Sequence, residues 1–242
     1  MIYLDAEHLS ARLAGVASLV PAGARLADIG SDHAYLPAAL VLQGKINYAI
    51  AGEVVKGPYE NAVHEITHQQ LTDEIQPRLA DGLAAIAPED KIDTVVIAGM
   101  GGSLIASILE KGRDKLVGVK RLILQPNVGE KQVRQWLMAN RYQITGEKII
   151  EEDDHIYEII LAEPSIVPFY YSQYELEFGP LLLEKKTPVF KKKWQEFCQR
   201  EENVIAQMQK AQQPPLQKIA RLEEKLRGIK EVITSDHRYP TN

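Results

Sequence analysis

Between residues 9 and 163 the chain alternates short, almost wholly apolar runs with longer stretches whose apolar residues recur every three or four positions. Runs of the first kind predict strands buried on both faces, and those of the second predict amphipathic helices. Their alternation predicts a parallel sheet wrapped by helices. Strands are expected at Arg25–Ile29, Tyr48–Glu53, Ile75–Leu79, 92–98 and 120–125, with helices at 58–70 and 103–111 among them. The third strand contains Pro77, which has no N–H for a ladder and fits only an edge position. Two further runs, 142–150 and 156–162, are separated only by the polar stretch 151–155, so they should form a hairpin that brings an antiparallel strand into the sheet. Beyond Pro164 and Pro168 no strand-like run follows. Phe190, Trp194 and Phe197, then Val204 and Met208, recur at helical spacing instead. Ile219, Leu222, Leu226, Ile229 and Ile233 step by three and four, the pattern of a coiled-coil seam. Gln212-Gln213-Pro214-Pro215 reads as a turn between the two runs. The expectation is an antiparallel α-helical coiled-coil hairpin in which the Trp and Phe residues are seam residues rather than base-stacking ones. The expected division is 1–164 for the α/β domain and 165–242 for the helical one.

Composition sharpens this outline in three respects. A chain of 242 residues, 45% of them hydrophobic, can bury one large core with a smaller appendage. It has neither a run of eighteen apolar residues nor a charged, apolar, small-residue leader, so the expectation is a soluble cytoplasmic protein with no membrane contact. Cys198 is the only cysteine, which excludes an intramolecular disulfide and a thiolate metal cluster, and no metal is expected. The net charge of −5 argues against a wholly basic nucleic-acid binder. Its distribution is uneven. Residues 1–165 carry 15 Lys+Arg against 23 Asp+Glu, a balance of −8, and residues 166–242 carry 13 against 10, a balance of +3. A polyanionic partner, if there is one, is met through the C-terminal part.

The chemistry concentrates where the expected strands end, since ligands of such sheets bind outside the carboxyl ends of the strands. Leu26-Ala27-Asp28-Ile29-Gly30-Ser31-Asp32-His33-Ala34-Tyr35-Leu36-Pro37 reads as a buried strand, a Gly turn and the opening of a helix. A dinucleotide site wants Gly-x-Gly-x-x-Gly so that pyrophosphate can lie on bare backbone. Here Asp32 replaces the second Gly and would repel a polyanion. A ligand without phosphate suits the turn, and S-adenosyl-L-methionine carries a sulfonium, an ammonium and ribose hydroxyls. The second strand ends at Glu53, 25 residues after Asp28, where an acidic residue accepts from ribose hydroxyls. Asp81-Gly82 follows the third strand, placed to accept from an adenine amino group. A Gly-rich turn, Ala98-Gly99-Met100-Gly101-Gly102, follows the fourth, with Ser103 as the expected helix N-cap. The fifth strand runs into Gln125, Pro126 and Asn127, whose amides offer donors and acceptors about a stiffened turn. Taken singly, Asp28 or Asp81 reads more simply as a helix cap and His33 as a helix-surface residue. Carboxylates at three successive strand ends, with a Gly-rich turn at the fourth, depart from that simpler reading. A mostly parallel sheet with one antiparallel strand resembles a class I methyltransferase (Rossmann-like), seven-stranded, more than a dehydrogenase. The Asn/Asp-Pro-Pro-aromatic loop of amino-group methyltransferases is absent, which argues against exocyclic amine methylation. Cys198 lies in the helical part, which argues against a cysteine-nucleophile C5 mechanism.

Four motifs together, Leu9-Ser10-x-Arg12-Leu13, Ala27 to Pro37, Ala98 to Gly102 and Leu122-Ile123-Leu124-Gln125-Pro126-Asn127, resemble the bacterial tRNA (adenine(22)-N1)-methyltransferase family across essentially the whole chain. The resemblance implies methylation, with S-adenosyl-L-methionine, of N1 of an adenosine in the D-arm region of tRNA. It also implies that Arg12, on an N-terminal helix, pairs with the methionine carboxylate, for which a guanidinium is a bidentate partner. The expected cofactor set is Arg12, Asp28, Gly30, Asp32, His33, Glu53, Asp81, Gly82, Ala98, Gly99, Met100 and Gly101. Asp32 and Asn127 are the expected base-facing wall and Tyr35 a stacking surface. Phosphate contact is expected through Lys185, Lys186, Lys191, Lys192 and Lys193. Two other classes compete: a non-catalytic RNA-binding protein that retains a methyltransferase fold, and an NAD-dependent oxidoreductase. Asp32 and the lack of a second dinucleotide half count against the latter.

Overall fold

A computed structural model describes Ala6 and residues 8–235. It divides into two compact units, the first ending at Glu177 and the second beginning at Phe178. In the first unit the order is α1 (Ala11–Leu19), β1 (Arg25–Ile29), α2 (Tyr35–Leu42), β2 (Tyr48–Glu53), α3 (Lys56–His68), β3 (Ile75–Leu79), β4 (Thr94–Gly101), α4 (Gly102–Lys111), β5 (Arg121–Val128), α5 (Glu130–Ala139), β6 (Tyr142–Glu152) and β7 (His155–Pro164). The strands form one sheet in the order β3-β2-β1-β4-β5-β7-β6. All neighbours are parallel from β3 to β5, and β7 runs antiparallel to both β5 and β6. Pro77 therefore lies on an edge strand, where its missing N–H breaks no ladder. The inner strands are covered on both faces. Leu26, Ala27, Val95, Val96, Ile97, Leu122, Ile123 and Leu124 are all fully buried, which is why they read as continuous apolar runs. The chain order reverses between β1 and β4, and the carboxyl ends of these two strands open the crevice that such sheets use for ligands.

Three details differ from the sequence expectation, and two of them shape this crevice. The stretch after β4 is not a free glycine turn. The β4–β5 ladder continues from Ala98↔Gln125 through Met100↔Pro126 to Gly101↔Val128, with register shifts on either side of Met100. Bulges of this kind kink a strand and re-aim its backbone. In consequence α4 opens at Gly102 with Gly101 as its cap, and Ser103 does not cap it. Secondly, the β6–β7 connection needs only Asp153 and Asp154, both at positive φ (48° and 60°), as in a tight two-residue hairpin. The longer β6 carries Glu152 to the amino end of α1, where its carboxylate accepts from the Ala11 and Arg12 backbone N–H groups. Ser10 completes that cap by accepting from Leu13 N at 3.2 Å. Gly15 lets α1 lie close on the hairpin, because a Cβ there would overlap the Ile150 side chain.

The third difference is the unit boundary, which falls thirteen residues beyond Pro164. The segment 165–177 is tied to the first unit by polar contacts that no apolar periodicity announces. The Tyr171 hydroxyl accepts from Ile144 N at 2.8 Å, and the carbonyls of Leu176 and Glu177 accept from the Arg134 guanidinium. Arg134 on α5 is completely buried and pairs with Glu147 on β6 and Glu158 on β7, both equally dry.

The second unit contains α7 (Pro180–Lys185), α8 (Pro188–Gln209) and α9 (Leu216–Thr234), after the short α6 (Gln173–Phe178) that spans the division. The helices α8 and α9 form the expected hairpin, with Lys230 of α9 paired to Glu202 of α8. Its dry seam is Phe190, Trp194, Cys198 and Ile205 against Ile219, Leu226, Ile229, Val232 and Ile233. Phe197, Val204 and Met208 are half-buried beside it. No helix among the described residues is long and apolar enough to cross a membrane.

Candidate active site

The crevice is built by four chain segments. At the end of β1 the backbone turns sharply. Gly30 has φ +76°, and the Gly30 and Ser31 N–H groups both donate to the Gly52 carbonyl, at 2.8 and 3.1 Å. Asp32 (φ 44°) and Ala34 (φ 57°) also sit in the left-handed region, uncommon for residues with a Cβ and typical of strain held at a functional turn. The turn leaves Asp32 exposed beside His33, and the His33 ring stacks on Tyr35 with centroids 5.0 Å apart and planes within 8°. His33 precedes α2 rather than lying on it.

Beneath the turn lies a buried acidic pair. Asp28 is 6% exposed, and one of its oxygens accepts from the Ser31 hydroxyl at 2.6 Å. Burial pushes its carboxyl up to about 6 against the Ser31 hydrogen bond; the Glu53 charge adds to the rise and Arg12 opposes it. Glu53 closes β2 with one oxygen accepting from Val54 N (2.8 Å) and Val55 N (3.1 Å), while the other receives a long contact from Asp32 N (3.4 Å). Neither Asp28 nor Asp81 caps a helix. Asp28 lies within β1, and Asp81 precedes the 3-10 turn Gly82–Ala85 without a side-chain cap bond. Asp81 and Gly82 instead line a cavity of ≈ 230 Å³ with Leu83, Ile108 and Lys111.

Opposite the acids stands Arg12. Its guanidinium donates from Nη1 to Gln125 Oε1 at 2.7 Å and lies 5.6 Å from the Tyr157 ring. Gln125 also accepts from the Gly99 N–H at 3.0 Å, and Asn127 Nδ2 donates to the Gly99 carbonyl at 2.9 Å. The bulged peptide at Gly99 (φ +79°) is thus held on both sides. Ala98, Met100 and Gly101 continue the same bulge and are partly exposed. Every residue singled out in the first unit except Asp81 and Gly82 therefore belongs to the β1 turn, the buried acidic pair beneath it or the Arg12–Gln125–Gly99–Asn127 corner. Tyr157 and Glu152, which seat Arg12 and its helix, carry no signal in the sequence. They act across 145 and 140 residues of chain, and nothing local marks them.

The five lysines belong to the second unit and are not equivalent. Lys185 and Lys191 are exposed. Lys186 donates to the Ser235 carbonyl at 2.9 Å, Lys192 lies 3.8 Å from Glu196, and Lys193 sits 5.7 Å from the Trp194 ring centroid.

A 3-2-1-4-5-7-6 sheet with acidic residues and a glycine bulge at its ligand-binding edge defines a class I, Rossmann-like methyltransferase fold. Residues 26–231 match the profile described as tRNA (adenine(22)-N(1))-methyltransferase, and the chain belongs to that family. It is 43% identical over 235 residues to the Bacillus subtilis (strain 168) tRNA (adenine(22)-N(1))-methyltransferase, a match covering 95% of this chain and 98% of that one. Among solved structures it resembles a putative tRNA (m1A22) methyltransferase from Streptococcus pneumoniae in complex with S-adenosyl-L-methionine. The two share 45% identity and a TM-score of 0.86, over 93% of this chain and 100% of that one. An M. capricolum relative in complex with S-adenosyl-homocysteine gives a TM-score of 0.82 at 28% identity, over 93% and 97% of the two chains.

Proposed function

We propose that this protein transfers a methyl group from S-adenosyl-L-methionine to N1 of adenosine 22 in tRNA. The observation that carries the reading is the pair of buried carboxylates, Asp28 in β1 and Glu53 at the end of β2, on the ligand-binding edge of the sheet. Such a pair favours a cationic ligand and repels a phosphorylated coenzyme. The remaining groups suit the same molecule. Arg12 presents a guanidinium to an amino-acid carboxylate, Glu53 an acidic edge to ribose hydroxyls, and Asp81 an acceptor to the adenine amine. The Gly30 turn and the backbone of Ala98, Gly99, Met100 and Gly101 allow close approach, and His33 flanks Asp32 at the mouth. When bound, S-adenosyl-L-methionine supplies an electrophilic methyl group on a sulfur that leaves as a neutral thioether, keeping the electron pair of the broken bond.

The chain's own task is then mostly to place the base. N1 of neutral adenine already carries a free lone pair, so no side chain has to remove a proton before the new bond forms. Holding N1 in line for attack supplies roughly 7–11 kcal/mol of barrier reduction in well-oriented reactions. Tyr35 offers a face for the base, and Asp32 and Asn127 form the base-facing wall. A carboxylate at Asp32 also stabilises the positive charge that develops on the ring and can take the N6 proton released afterwards. Because N1 lies on the pairing edge, the target is unpaired or turned out of its stack when it reacts. Lys185, Lys186, Lys191, Lys192 and Lys193 are assigned to the tRNA backbone, which the acidic first unit cannot grip alone. The reading places the protein with the tRNA pool in the cytoplasm.

The test is to incubate unmodified tRNA with the purified protein and labelled S-adenosyl-L-methionine, then map methylated nucleosides by mass. Label at N1 of adenosine 22 is expected. Label elsewhere, or tRNA binding without any label, would overturn the assignment, the second result favouring a non-catalytic RNA-binding protein. A melting-temperature rise with NAD but not with S-adenosyl-homocysteine would point to an oxidoreductase.

A further inference from the structure

Gln125 is a polar side chain with no exposure at all, placed where β5 reaches the crevice. A buried amide is costly unless its hydrogen-bonding capacity is met, and here every site is used. Its oxygen accepts from Arg12 Nη1 at 2.7 Å and from Gly99 N at 3.0 Å. Its nitrogen donates to the Pro126 carbonyl at 2.9 Å and to Asn127 Oδ1 at 3.1 Å. The polarity of this network follows from chemistry. A guanidinium and a backbone N–H can only donate, so the oxygen of Gln125 must face them, and its NH₂ group must face the carbonyl of Pro126. Asn127 must then turn its oxygen to Gln125 and its nitrogen to the Gly99 carbonyl, 2.9 Å away. One amide thus fixes a cation on α1, a peptide in β4 and the orientation of an exposed amide near the end of β5.

We propose that Gln125 is a positioning residue for methyl transfer, setting Arg12 for the methyl donor and Asn127 for the target base through the two ends of a single amide. The proposal rests on the function proposed above. With its polarity fixed, Asn127 keeps one acceptor site on its oxygen and one N–H for the base. That pairing suits adenine, whose N6 donates and whose N7 accepts, and opposes guanine, which presents acceptors at both O6 and N7. An adenine held by N6 and N7 has its N1 free.

Because the two ends of the amide do different work, they can be separated. Gln125→Glu keeps both acceptor bonds, to Arg12 and Gly99, but loses the N–H groups that orient Asn127. Its dissociation constant for S-adenosyl-homocysteine, by calorimetry, should rise far less than kcat on tRNA falls, the latter by about 100-fold, the scale of a misplaced reacting group. Gln125→Leu removes both ends and should in addition weaken S-adenosyl-homocysteine binding by roughly 10- to 100-fold, because Arg12 and the Gly99 N–H lose their acceptor. In an Asn127→Ala background Gln125→Glu should lower kcat by less than about threefold, since its effect runs through the side chain already removed. That comparison decides the question even if the Leu variant does not fold. Equal losses of affinity and kcat in Gln125→Glu, full additivity with Asn127→Ala, or a kcat loss that follows the melting temperature would overturn the proposal. Wild-type protein that fails to bind S-adenosyl-homocysteine would instead overturn the function on which it rests.

Discussion

The Asp28 carboxylate loses its hydration on folding and gains the Ser31 hydroxyl in exchange, with Glu53 close enough to oppose its charge. Its proton affinity therefore rises from an ordinary 3.8 to about 6, so the folded chain binds this proton more tightly than the unfolded one. The stabilisation it brings is complete below pH 3.8 and is lost as the pH climbs through 6. At pH 8 the ionised group costs the ligand-free fold roughly 3 kcal/mol. Asp28→Asn should accordingly raise the melting temperature at pH 8 by several degrees, give no gain at pH 3.5, and weaken S-adenosyl-homocysteine binding by about tenfold or more. Calorimetry at the two pH values checks the sign; a lower melting temperature at pH 8 would contradict it. Asp32 is exposed, and the role proposed for it is a chemical one. Asp32→Ala should cut turnover far more than it weakens tRNA binding, and equal losses in both would argue against that role. The burial of Asp28 and Glu53 at the ends of β1 and β2 followed from the sequence, because each carboxylate closes a run of apolar and small residues. The function of Gln125 did not, since its partner Arg12 lies 113 residues away and an amide on its own has no pattern.

Among the elements, strands buried on both faces announced themselves well, and even the edge position of β3 followed from Pro77. The continuation of β4 past Gly99 did not, because bulges depend on the partner strand, and glycines suggest a turn when read locally. Hidden from periodicity too was the Arg134–Glu147–Glu158 group, in which two carboxylates of a hairpin share one guanidinium in a dry environment. Read in sequence, all three look like solvent-facing charges. Arg134→Met would remove the guanidinium that two buried acids share, a change that costs about 3–5 kcal/mol in comparable sites. Chemical denaturation at pH 7 should show a loss of that size. It should shrink at pH 5, where the two glutamates protonate more readily, whereas a loss independent of pH would mean the group acts by packing alone.

On the scale of the whole molecule, charge separates the two units, and the polar contacts of Arg134 and Tyr171 carry the first of them past Pro164 to Glu177. A chain ending at residue 177 should therefore keep S-adenosyl-homocysteine binding and lose methyl transfer to tRNA. One ending at 165 should be less stable, having lost the Tyr171 hydroxyl and the carbonyls that Arg134 donates to. Normal tRNA methylation by the 177-residue form would refute the role given to the lysines. In the full chain, replacing Lys185 and Lys191 by Ala should flatten the dependence of log affinity for tRNA on log salt by roughly 1.5.

The hairpin also carries a reporter of its own motion. The chain's sole thiol, Cys198, is 4% exposed in the α8–α9 seam, and burial raises its pKa further above neutrality. An intact hairpin withholds that sulfur from alkylating reagents, and parting the helices releases it. The rate at which a maleimide labels the native protein, with and without tRNA, thus measures how often the two helices come apart and whether RNA clamps them shut. No engineered label is needed, and with no second cysteine every modified molecule reports the same event.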